Sequence, residues 1–409
     1  MIIEQDTDAL NRASTNAWNL YVGREVCGDV QEGLNREWLV TNGIGGYASG
    51  SIVGATTRSY HGLLVAALHP PVERTVLVTK IDEEVEFYDG HVIKLGVNEY
   101  QDGTIDPQGY RYLDSFSLDA DMPCFRYDLG DALVLEKRIW MEYGQNTTYV
   151  QYTLHSTGED EEASNRPLML ALYPFCLFRD HHSTTQGAAD WHFIVEGQGD
   201  SCRVRAYEGA PAYSIMMGPF AHFTPTGMWY WHVLHRRETE RGLSNLDDVY
   251  SPGFFRISIT PGERVTVVLS EDEATQLSLF GGPQHEEAVA QAMTRHHRRV
   301  KQLLAVADRS IENLPQQDPV RARLVIVADQ FIVARPDYST TNARLHLSPD
   351  RKTIIAGYPW FTDWGRDSMI SLPGLLLCTG RYSEARGLLK AFASFAHQGL
   401  IPNRFPDSG

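Results

Sequence analysis

The 409-residue sequence is 43% hydrophobic and 22% charged, which is the composition of a soluble globular protein. Its length exceeds what one hydrophobic core normally serves, so we expect more than one domain. A net charge of −16 argues against nucleic-acid phosphates or an anionic membrane as partners and suits a neutral substrate.

Targeting and redox signals favour a cytoplasmic protein. The first eight residues are acidic and lack the basic-then-apolar layout of a signal peptide. No apolar run approaches the ~18–20 residues of a membrane span. The five cysteines are scattered and form no C-x-x-C pair, so we expect neither a zinc site nor a disulfide framework.

From Glu37 to about Ser270 the sequence has the pattern of a β-domain. Runs of β-branched and aromatic residues are separated by Gly, Asp, Asn and Pro, and several alternate, as with Val150, Tyr152 and Leu154. Such a series without clear helices predicts a large antiparallel β-sandwich. The predicted strands are 37–41, 62–68, 74–80, 85–88, 132–140, 148–154, 167–172, 255–259 and 264–269.

Three motifs in this region have competing interpretations. Gly43-x-Gly45-Gly46 lacks the spacing and βαβ context of a dinucleotide site, so we interpret it as a tight turn that needs positive φ. The segment 58–61 (Arg-Ser-Tyr-His) could reach the active site of a neighbouring domain, but a hydrogen-bonded cluster at a strand end is favoured. His181-His182 has no third ligand at a recognisable spacing and is interpreted as a loop.

A composition change near residue 278 predicts a helical connector. Residues 284–308 carry one apolar stripe, which fits a helix that links two domains. The basic run at 295–299 is interpreted as a solvated face of that helix. We therefore predict a β-sandwich domain at 1–277, a linker helix at 278–315 and a helical domain at 316–409.

Three helices are predicted in the last region. Asp318 and Pro319 are expected to cap and begin the first, which ends before Pro336. The second runs from about Arg366 or Ser368 to Cys378, where Gly380 closes it. The third is expected to begin at N-cap Ser383 and to stop at Gly399. The predicted buried stripes are Val320, Leu324, Val327, Ala328 and Phe331, widened by Val325 and Ile326, in the first helix, and Leu388, Leu389, Phe392, Phe395 and Ala396 in the third.

The segment 357–368, Gly-Tyr-Pro-Trp-Phe-Thr-Asp-Trp-Gly-Arg-Asp-Ser, combines aromatic and charged residues. Aromatic faces cover the C–H surfaces of a sugar ring, and fixed charges hold its hydroxyls. The alternative is a solvated loop in which Arg366 and Asp367 only pair with each other.

Three helices with broad apolar faces are unlikely to close a core by themselves, and the sequence ends in the turn-like Phe-Pro-Asp-Ser-Gly. We therefore expect the chain to be a fragment with an incomplete helical domain.

Residues 352–374, which include Tyr-Pro-Trp-Phe-Thr-Asp-Trp-Gly-Arg-Asp-Ser, resemble the bacterial and archaeal glycogen debranching enzymes, the amylo-α-1,6-glucosidases of glycoside-hydrolase family 133. Residues 400–409, 38–51 and 58–66 are similar to further blocks of that family, while residues 150–280 fit the family only in their general character. The resemblance implies a β-sandwich, a helical linker and an (α/α)6 barrel with the active site in its mouth. It also implies inverting hydrolysis of α-1,6-linked glucose at glycogen branch points without a cofactor.

Trp364-Gly-Arg-Asp-Ser is also similar to the W-x-R-D-S motif of glucoamylases. By that likeness Arg366 and Asp367 bind the terminal sugar, Trp364 and Trp360 form its walls, and Asp363 supports or contacts it. The general acid and base are then expected beyond Gly409. Asp367 remains the alternative general acid, ahead of Asp363, although an adjacent arginine favours an ionised aspartate.

The leading hypothesis is thus a glycogen-debranching glucosidase fragment, inactive alone, that acts on glycogen or a branched α-glucan when complete. One alternative is a non-catalytic carbohydrate-binding module, and another is a different (α/α)6 glucosidase such as a glucoamylase. A disaccharide phosphorylase ranks last because no basic loop clearly offers a phosphate site. The sequence reveals neither the oligomeric state nor whether a glucan transferase activity is present.

Overall fold

The computed structural model describes residues 20–158, 166–272, 282–309, 318–335 and 351–404. Up to residue 272 these residues form an antiparallel, sheet-rich region with short helices, and helices predominate from residue 282 onward. The strands are Leu20–Val22 (β1), Glu37–Thr41 (β2), Tyr47–Ser51 (β3), Gly62–His69 (β4), Val72–Glu86 (β5), Val92–Lys94 (β6), Val97–Glu99 (β7), Ile105–Gln108 (β8), Leu113–Asp119 (β9), Met122–Gly130 (β10), Leu133–Met141 (β11), Thr147–Ser156 (β12), Leu168–Asp180 (β13), Ile194–Gln198 (β14), Ser201–Arg205 (β15), Tyr213–Met216 (β16), His222–Leu234 (β17), Leu246–Ile259 (β18), Arg264–Ser270 (β19), Ile332–Ala334 (β20) and Lys352–Ile354 (β21). The α-helices are Arg24–Cys27 (α1), Val30–Leu34 (α2), Arg236–Glu240 (α3), His285–Arg309 (α4), Pro319–Gln330 (α5), Gly365–Leu372 (α6) and Tyr382–Ser394 (α7), with a 3₁₀ turn at Gly109–Arg111 and a π-helical turn at Pro373–Leu377.

Two antiparallel sheets organise the first region. In the described part of the chain, nine strands are ordered β1-β9-β10-β11-β12-β19-β16-β15-β14. Eight strands form the second sheet, ordered β17-β18-β13-β5-β4-β3-β2 with β6 beside β5. Apolar residues of both sheets meet in one core, to which Leu77 and Leu170 contribute from the eight-stranded sheet and Val150 and Leu154 from the nine-stranded sheet.

The predicted strands are present, but several of them belong to longer ones. The segment 74–80 and the first two residues of 85–88 are parts of the single strand β5, the segment 167–172 overlaps the start of β13, and 255–259 is the end of β18. No strand was predicted at β1, β3, β6 to β10, β14 to β17, β20 or β21. The alternation of Val150, Tyr152 and Leu154 is confirmed because all three lie in the core between the sheets.

Helix α4 lies where the sequence predicts a helix at 284–308, and it packs against the outer face of the nine-stranded sheet. Val289 and Ala292 pack in a cluster with Trp140 and Tyr149, whose rings stack with centroids 4.9 Å apart. His285 adds a hydrogen bond of 3.0 Å between its Nε2 and the carbonyl oxygen of Thr266. Strand β12 is therefore buried on both faces.

The cap of helix α5 is as predicted, but its buried side is different. The Asp318 side chain accepts a hydrogen bond from the backbone N–H of Val320 at 3.0 Å, and Pro319 begins the helix. The predicted stripe is wrong for Val320 and Leu324, which are 65% and 64% exposed. Contact with helix α4 and the sheet region determines the buried side instead, because Ile326 packs with Val300 and Ala120.

Helix α7 begins two residues earlier than predicted. Its N-cap is Arg381, not Ser383, because the Arg381 carbonyl accepts the first helical hydrogen bond, from the N–H of Ala385 at 3.0 Å. Leu388 and Phe392 are fully buried, as expected. The helix ends at Ser394, before the predicted stop at Gly399, and the predicted buried residues Leu389 and Phe395 are 49% and 38% exposed.

Helix α6 also ends earlier than predicted. It stops at Leu372, and the chain continues to Leu377 as a π-helical turn that begins at Pro373. Proline has no N–H to donate and its ring crowds the preceding turn, which interrupts a regular helix. Gly380 has φ +73°, as a helix-closing glycine requires.

Candidate functional site

The segment 357–364 is a compact turn that leads into helix α6. The N–H of Phe361 donates to the carbonyl of Gly357 at 2.9 Å, and the N–H of Ala356 donates to the carbonyl of Thr362 at 2.9 Å. Tyr358 packs edge-on against Tyr47 of the eight-stranded sheet, with ring centroids 5.4 Å apart. The turn is thus fixed both by its own backbone and by the sheet region.

The start of helix α6 is held by residues 402–404. The N–H groups of Gly365 and Arg366 donate to the backbone oxygen and the side-chain oxygen of Asn403, at 2.7 and 2.9 Å. These bonds satisfy two of the donors that a helix N-terminus leaves unpaired. A Cβ at position 365 would lie 2.9 Å from the carbonyl oxygen of Pro402, so the close approach requires glycine.

Arg366 and Asp367 are both exposed in the first turn of helix α6. Among the described residues their side chains form no ion pair with each other, unlike the solvated-pair alternative. Both charged groups therefore face solvent beside a helix N-terminus, which also favours oxygen ligands.

Asp363 is placed differently from these two residues. It is 2% exposed, and its Oδ2 accepts a hydrogen bond from Arg335 Nη1 at 2.6 Å. This buried pair of a carboxylate and a guanidinium holds the turn in place. The bonded oxygen of Asp363 faces Arg335 and not the solvent.

The two tryptophans have unequal surroundings. Trp360 is 37% exposed, and the guanidinium carbons of Arg58 and Arg241 lie 5.3 and 5.2 Å from its ring centroid. Trp364 is half-buried and meets Phe361 edge-on, with centroids 6.4 Å apart. Part of the Trp360 ring is thus in contact with cations from the sheet region.

Sequence reasoning missed a cavity between the sheet region and this turn, with a volume of about 130 Å³. The signal in the sequence was the segment 58–61, and its interpretation as a hydrogen-bonded cluster is confirmed. Arg58 bonds within a local cluster and also reaches Trp360. The cavity is lined by Glu37, Trp38, Leu39, Tyr47, Ser49, Arg58, Tyr60, His61, Tyr358 and Pro359.

Glu37, Arg58 and His61 form a charged cluster in this cavity. Arg58 Nε donates to Glu37 Oε1 at 2.7 Å, and His61 Nε2 lies 3.6 Å from the same oxygen. Burial would raise the pKa of Glu37, but the nearby imidazole of His61 and the charge of Arg58 lower it to about 2. Burial lowers the pKa of His61, which is only partly offset by Glu37.

The other motifs are readily placed. Gly43 and Gly45 have φ of +71° and +99°, as the predicted turn requires. The His181-His182 segment follows β13, and the residues that the structure describes contain no group of three or more His, Cys, Asp or Glu that could hold a metal ion. Within those residues, no helix has the length and apolar character needed to cross a membrane.

Comparisons with known proteins point to one family. The sequence family described as "Glycogen debranching enzyme N terminal" matches residues 36–266, and that described as "Amylo-alpha-1,6-glucosidase" matches residues 326–409. The chain is 48% identical to the glycogen debranching enzyme of Saccharomyces cerevisiae (strain ATCC 204508 / S288c) over 56 residues. That match spans 12% of this chain and only 4% of the yeast protein.

Solved structures give weaker likenesses. A bacterial glucoamylase complexed with acarbose has a TM-score of 0.42 at 10% identity, over 90% of this chain and 50% of that chain. A GalM/aldose epimerase homologue from C. elegans has a TM-score of 0.33 at 12% identity, over 57% of this chain and 98% of that chain. These TM-scores do not by themselves establish a shared fold. The first family match, by contrast, covers more than half of the sequence, and the chain therefore belongs to the glycogen debranching enzyme family.

Proposed function

We propose that this protein acts in the hydrolysis of α-1,6-glucosidic linkages at the branch points of glycogen or a similar α-glucan, with inversion and without a cofactor. The observation that carries the proposal is the match of residues 326–409 to the amylo-alpha-1,6-glucosidases. That region contains the turn at 357–364 and the exposed Arg366 and Asp367. A net charge of −16 also suits an uncharged polysaccharide better than an anionic one.

We further propose the domain organisation that the resemblance implies. Residues 1–277 form a β-sandwich, 278–315 a linker helix, and 316–409 the first helices of an (α/α)6 barrel. Two antiparallel sheets around a common core, and a long helix that follows them, support this division.

Within the site, Arg366 and Asp367 are proposed to hold hydroxyls of the terminal glucose. Their exposed side chains can reach a ligand from solvent, and a guanidinium and a carboxylate form the stronger, charge-assisted hydrogen bonds. Trp364 and Trp360 are proposed as walls for the sugar ring. Asp363 acts through its bond to Arg335, which keeps the turn in the geometry that presents the others.

An inverting glycosidase needs a protonated carboxyl group that donates to the leaving oxygen, and a second carboxylate that activates water ~6.5–9.5 Å away. Asp363 is unsuited to either task because it is buried and bonded to Arg335. Asp367 is proposed as a sugar ligand, with the role of general acid as its alternative.

Binding measurements test this proposal. Calorimetry would measure the affinity of the chain for a maltooligosaccharide that carries one α-1,6-linked glucose, and for its linear counterpart. Arg366→Met and Asp367→Asn should each weaken binding about tenfold or more, because a hydrogen bond to a charged group contributes about 1.5–3 kcal/mol. Arg298→Met, an exposed substitution on helix α4, is the matched control and should bind as the wild type does.

Two outcomes would overturn the proposal. One is a wild-type chain that binds neither oligosaccharide, and the other is unchanged affinity in both site variants. Tighter binding of the linear oligosaccharide would favour the glucoamylase-like alternative.

A further inference from the structure

We propose that the eight-stranded sheet contributes a second sugar-binding subsite, the cavity between residues 37–61 and the turn residues 358–359. It would hold the glucosyl unit next to the terminal one, through Glu37 and Arg58. This inference rests on the function proposed above and extends its site into the sheet region.

The size of the cavity limits its occupant to one ring-sized group. Its volume of about 130 Å³ is below the ~300 Å³ at which sites for larger organic ligands begin. Tyrosines line it from both regions, Tyr47 and Tyr60 from the sheet region and Tyr358 from the turn. Aromatic side chains are suited to the C–H faces of a sugar.

The polar groups in the cavity have unused hydrogen-bonding capacity. The Glu37 side chain is 31% exposed, and an ionised carboxylate offers about four acceptor positions. Arg58 Nε occupies one of these positions. The Nη groups of the same guanidinium make no hydrogen bond among the described residues and are available as donors.

His61 adds a donor beside this pair. Its Nδ1 accepts a hydrogen bond from the N–H of Thr57 at 3.1 Å, so the neutral ring carries its proton on Nε2. That nitrogen is buried, 3.6 Å from Glu37 Oε1, and has no hydrogen-bond partner within the described part of the chain. This donor faces the Glu37 carboxylate and favours its ionised form, which accepts hydrogen bonds from sugar hydroxyls.

Arg58 connects the cavity to the turn that carries the proposed binding residues. Arg58 lines the cavity and also lies 5.3 Å from the ring centroid of Trp360, which is four residues before Trp364. The cavity and the start of helix α6 each combine a carboxylate, a guanidinium and aromatic rings. A glucan chain could therefore extend from Arg366 and Asp367 past Trp360 to Glu37.

A chain-length series tests this arrangement. The affinity of the wild-type chain is measured for isomaltose and for branched oligosaccharides of three to five glucose units. Glu37→Gln and Arg58→Met should weaken binding of the longer oligosaccharides about tenfold and change isomaltose binding much less, because the shortest ligand barely reaches the cavity. Glu86→Gln and Arg256→Met, which remove another Glu–Arg pair of the same sheet, are the matched controls and should bind normally.

A measurement on the wild type keeps the test independent of variant folding. Amide hydrogen exchange at residues 37–41 and 57–61 should slow when a branched oligosaccharide of five glucose units is added. The inference is overturned if exchange slows only at residues 360–368, or if both cavity variants keep wild-type affinity while Arg366→Met loses it. In those cases the proposed function stands. If the wild type binds none of the oligosaccharides, the inference falls together with the proposed function.

Discussion

At the scale of single residues, Asp363 and Asp367 have different surroundings although they are four positions apart. Asp363 is buried against Arg335, whereas Asp367 is exposed. Arg335→Met would leave the Asp363 carboxylate buried without this partner, and breaking a buried pair costs about 3–5 kcal/mol. We expect a loss of that order in the free energy of unfolding, measured by urea denaturation.

Arg366→Met is the control for this prediction. Exposed substitutions usually change stability by less than about 0.5 kcal/mol, so this variant should unfold like the wild type while its glucan binding is impaired. The double variant Arg335→Met/Asp363→Asn should recover part of the lost stability, because it no longer buries an unpaired charge. Equal stability of Arg335→Met and the wild type would show that the pair does not hold the turn.

Glu37 should make stability depend on acid pH. Its pKa is lowered from 4.5 to about 2 in the folded protein, so its stabilising contribution is complete above pH 4.5 and is lost as pH falls towards 2. The difference in melting temperature between the wild type and Glu37→Gln should be larger at pH 6 than at pH 3. Glu240→Gln removes an exposed ion pair and should give a smaller difference at pH 6. If the melting-temperature difference between the wild type and Glu37→Gln grew on acidification, the lowered pKa of Glu37 would be contradicted.

At the scale of secondary-structure elements, two glycines of the same helical segment should respond oppositely to alanine. A Cβ at Gly365 would meet the carbonyl oxygen of Pro402 at 2.9 Å and the Phe392 ring at 3.2 Å. Gly365→Ala should therefore cost about 1–3 kcal/mol, since overpacking forces the backbone apart. In the described part of the chain a Cβ at Gly374 would meet no heavy atom within 4 Å, so Gly374→Ala should be neutral or stabilising by up to about 1 kcal/mol. Thermal unfolding of both variants checks the contrast, and similar shifts would refute it.

Helices were easier to predict from the sequence than the faces they bury. Asp318-Pro319 is a local signal, because a cap needs only neighbouring residues, and it is confirmed. The burial of Leu324 depends instead on which neighbour the helix meets, and periodicity alone does not contain that information. The missed strands have a similar cause. Strand β17 carries irregular register against β18 and a positive φ at His232, which obscure a two-residue period.

At the scale of the whole molecule, the site could be predicted only where its residues are neighbours in sequence. Residues 357–368 were recognisable because aromatic and charged side chains occur within twelve positions. Glu37 and Arg58 are about 300 positions away, and they join the turn through tertiary contacts such as Tyr358 on Tyr47 and Arg58 on Trp360. Contacts between distant segments follow from tertiary structure, so a local pattern contains no signal for them.

The attachment of helix α4 to the nine-stranded sheet should also depend on pH. His296 Nε2 and Asp121 Oδ1 are 2.8 Å apart, with Arg299 and Arg323 also facing the pair. Burial lowers the pKa of His296, but the Asp121 carboxylate outweighs it and raises the pKa above 6.5. Burial raises the pKa of Asp121, but His296 and Arg323 lower it below 3.8. The histidine contributes stability that is complete below pH 6.5 and is lost as pH rises through its folded pKa. The aspartate contributes stability above pH 3.8 that is lost on acidification.

Asp121→Asn should therefore lower the melting temperature most near pH 5.5 and less at pH 9 or pH 3. At pH 5.5 the variant should lose on the order of 1–3 kcal/mol of the free energy of unfolding, as expected for a hydrogen bond between charged groups. Arg295→Met removes a more exposed pair with Glu142 that joins the same helix and sheet, and it should cost less at pH 5.5. A melting-temperature difference that is constant from pH 3 to pH 9 would mean that helix α4 is held by its apolar contacts with Trp140 and Tyr149 and not by this ion pair.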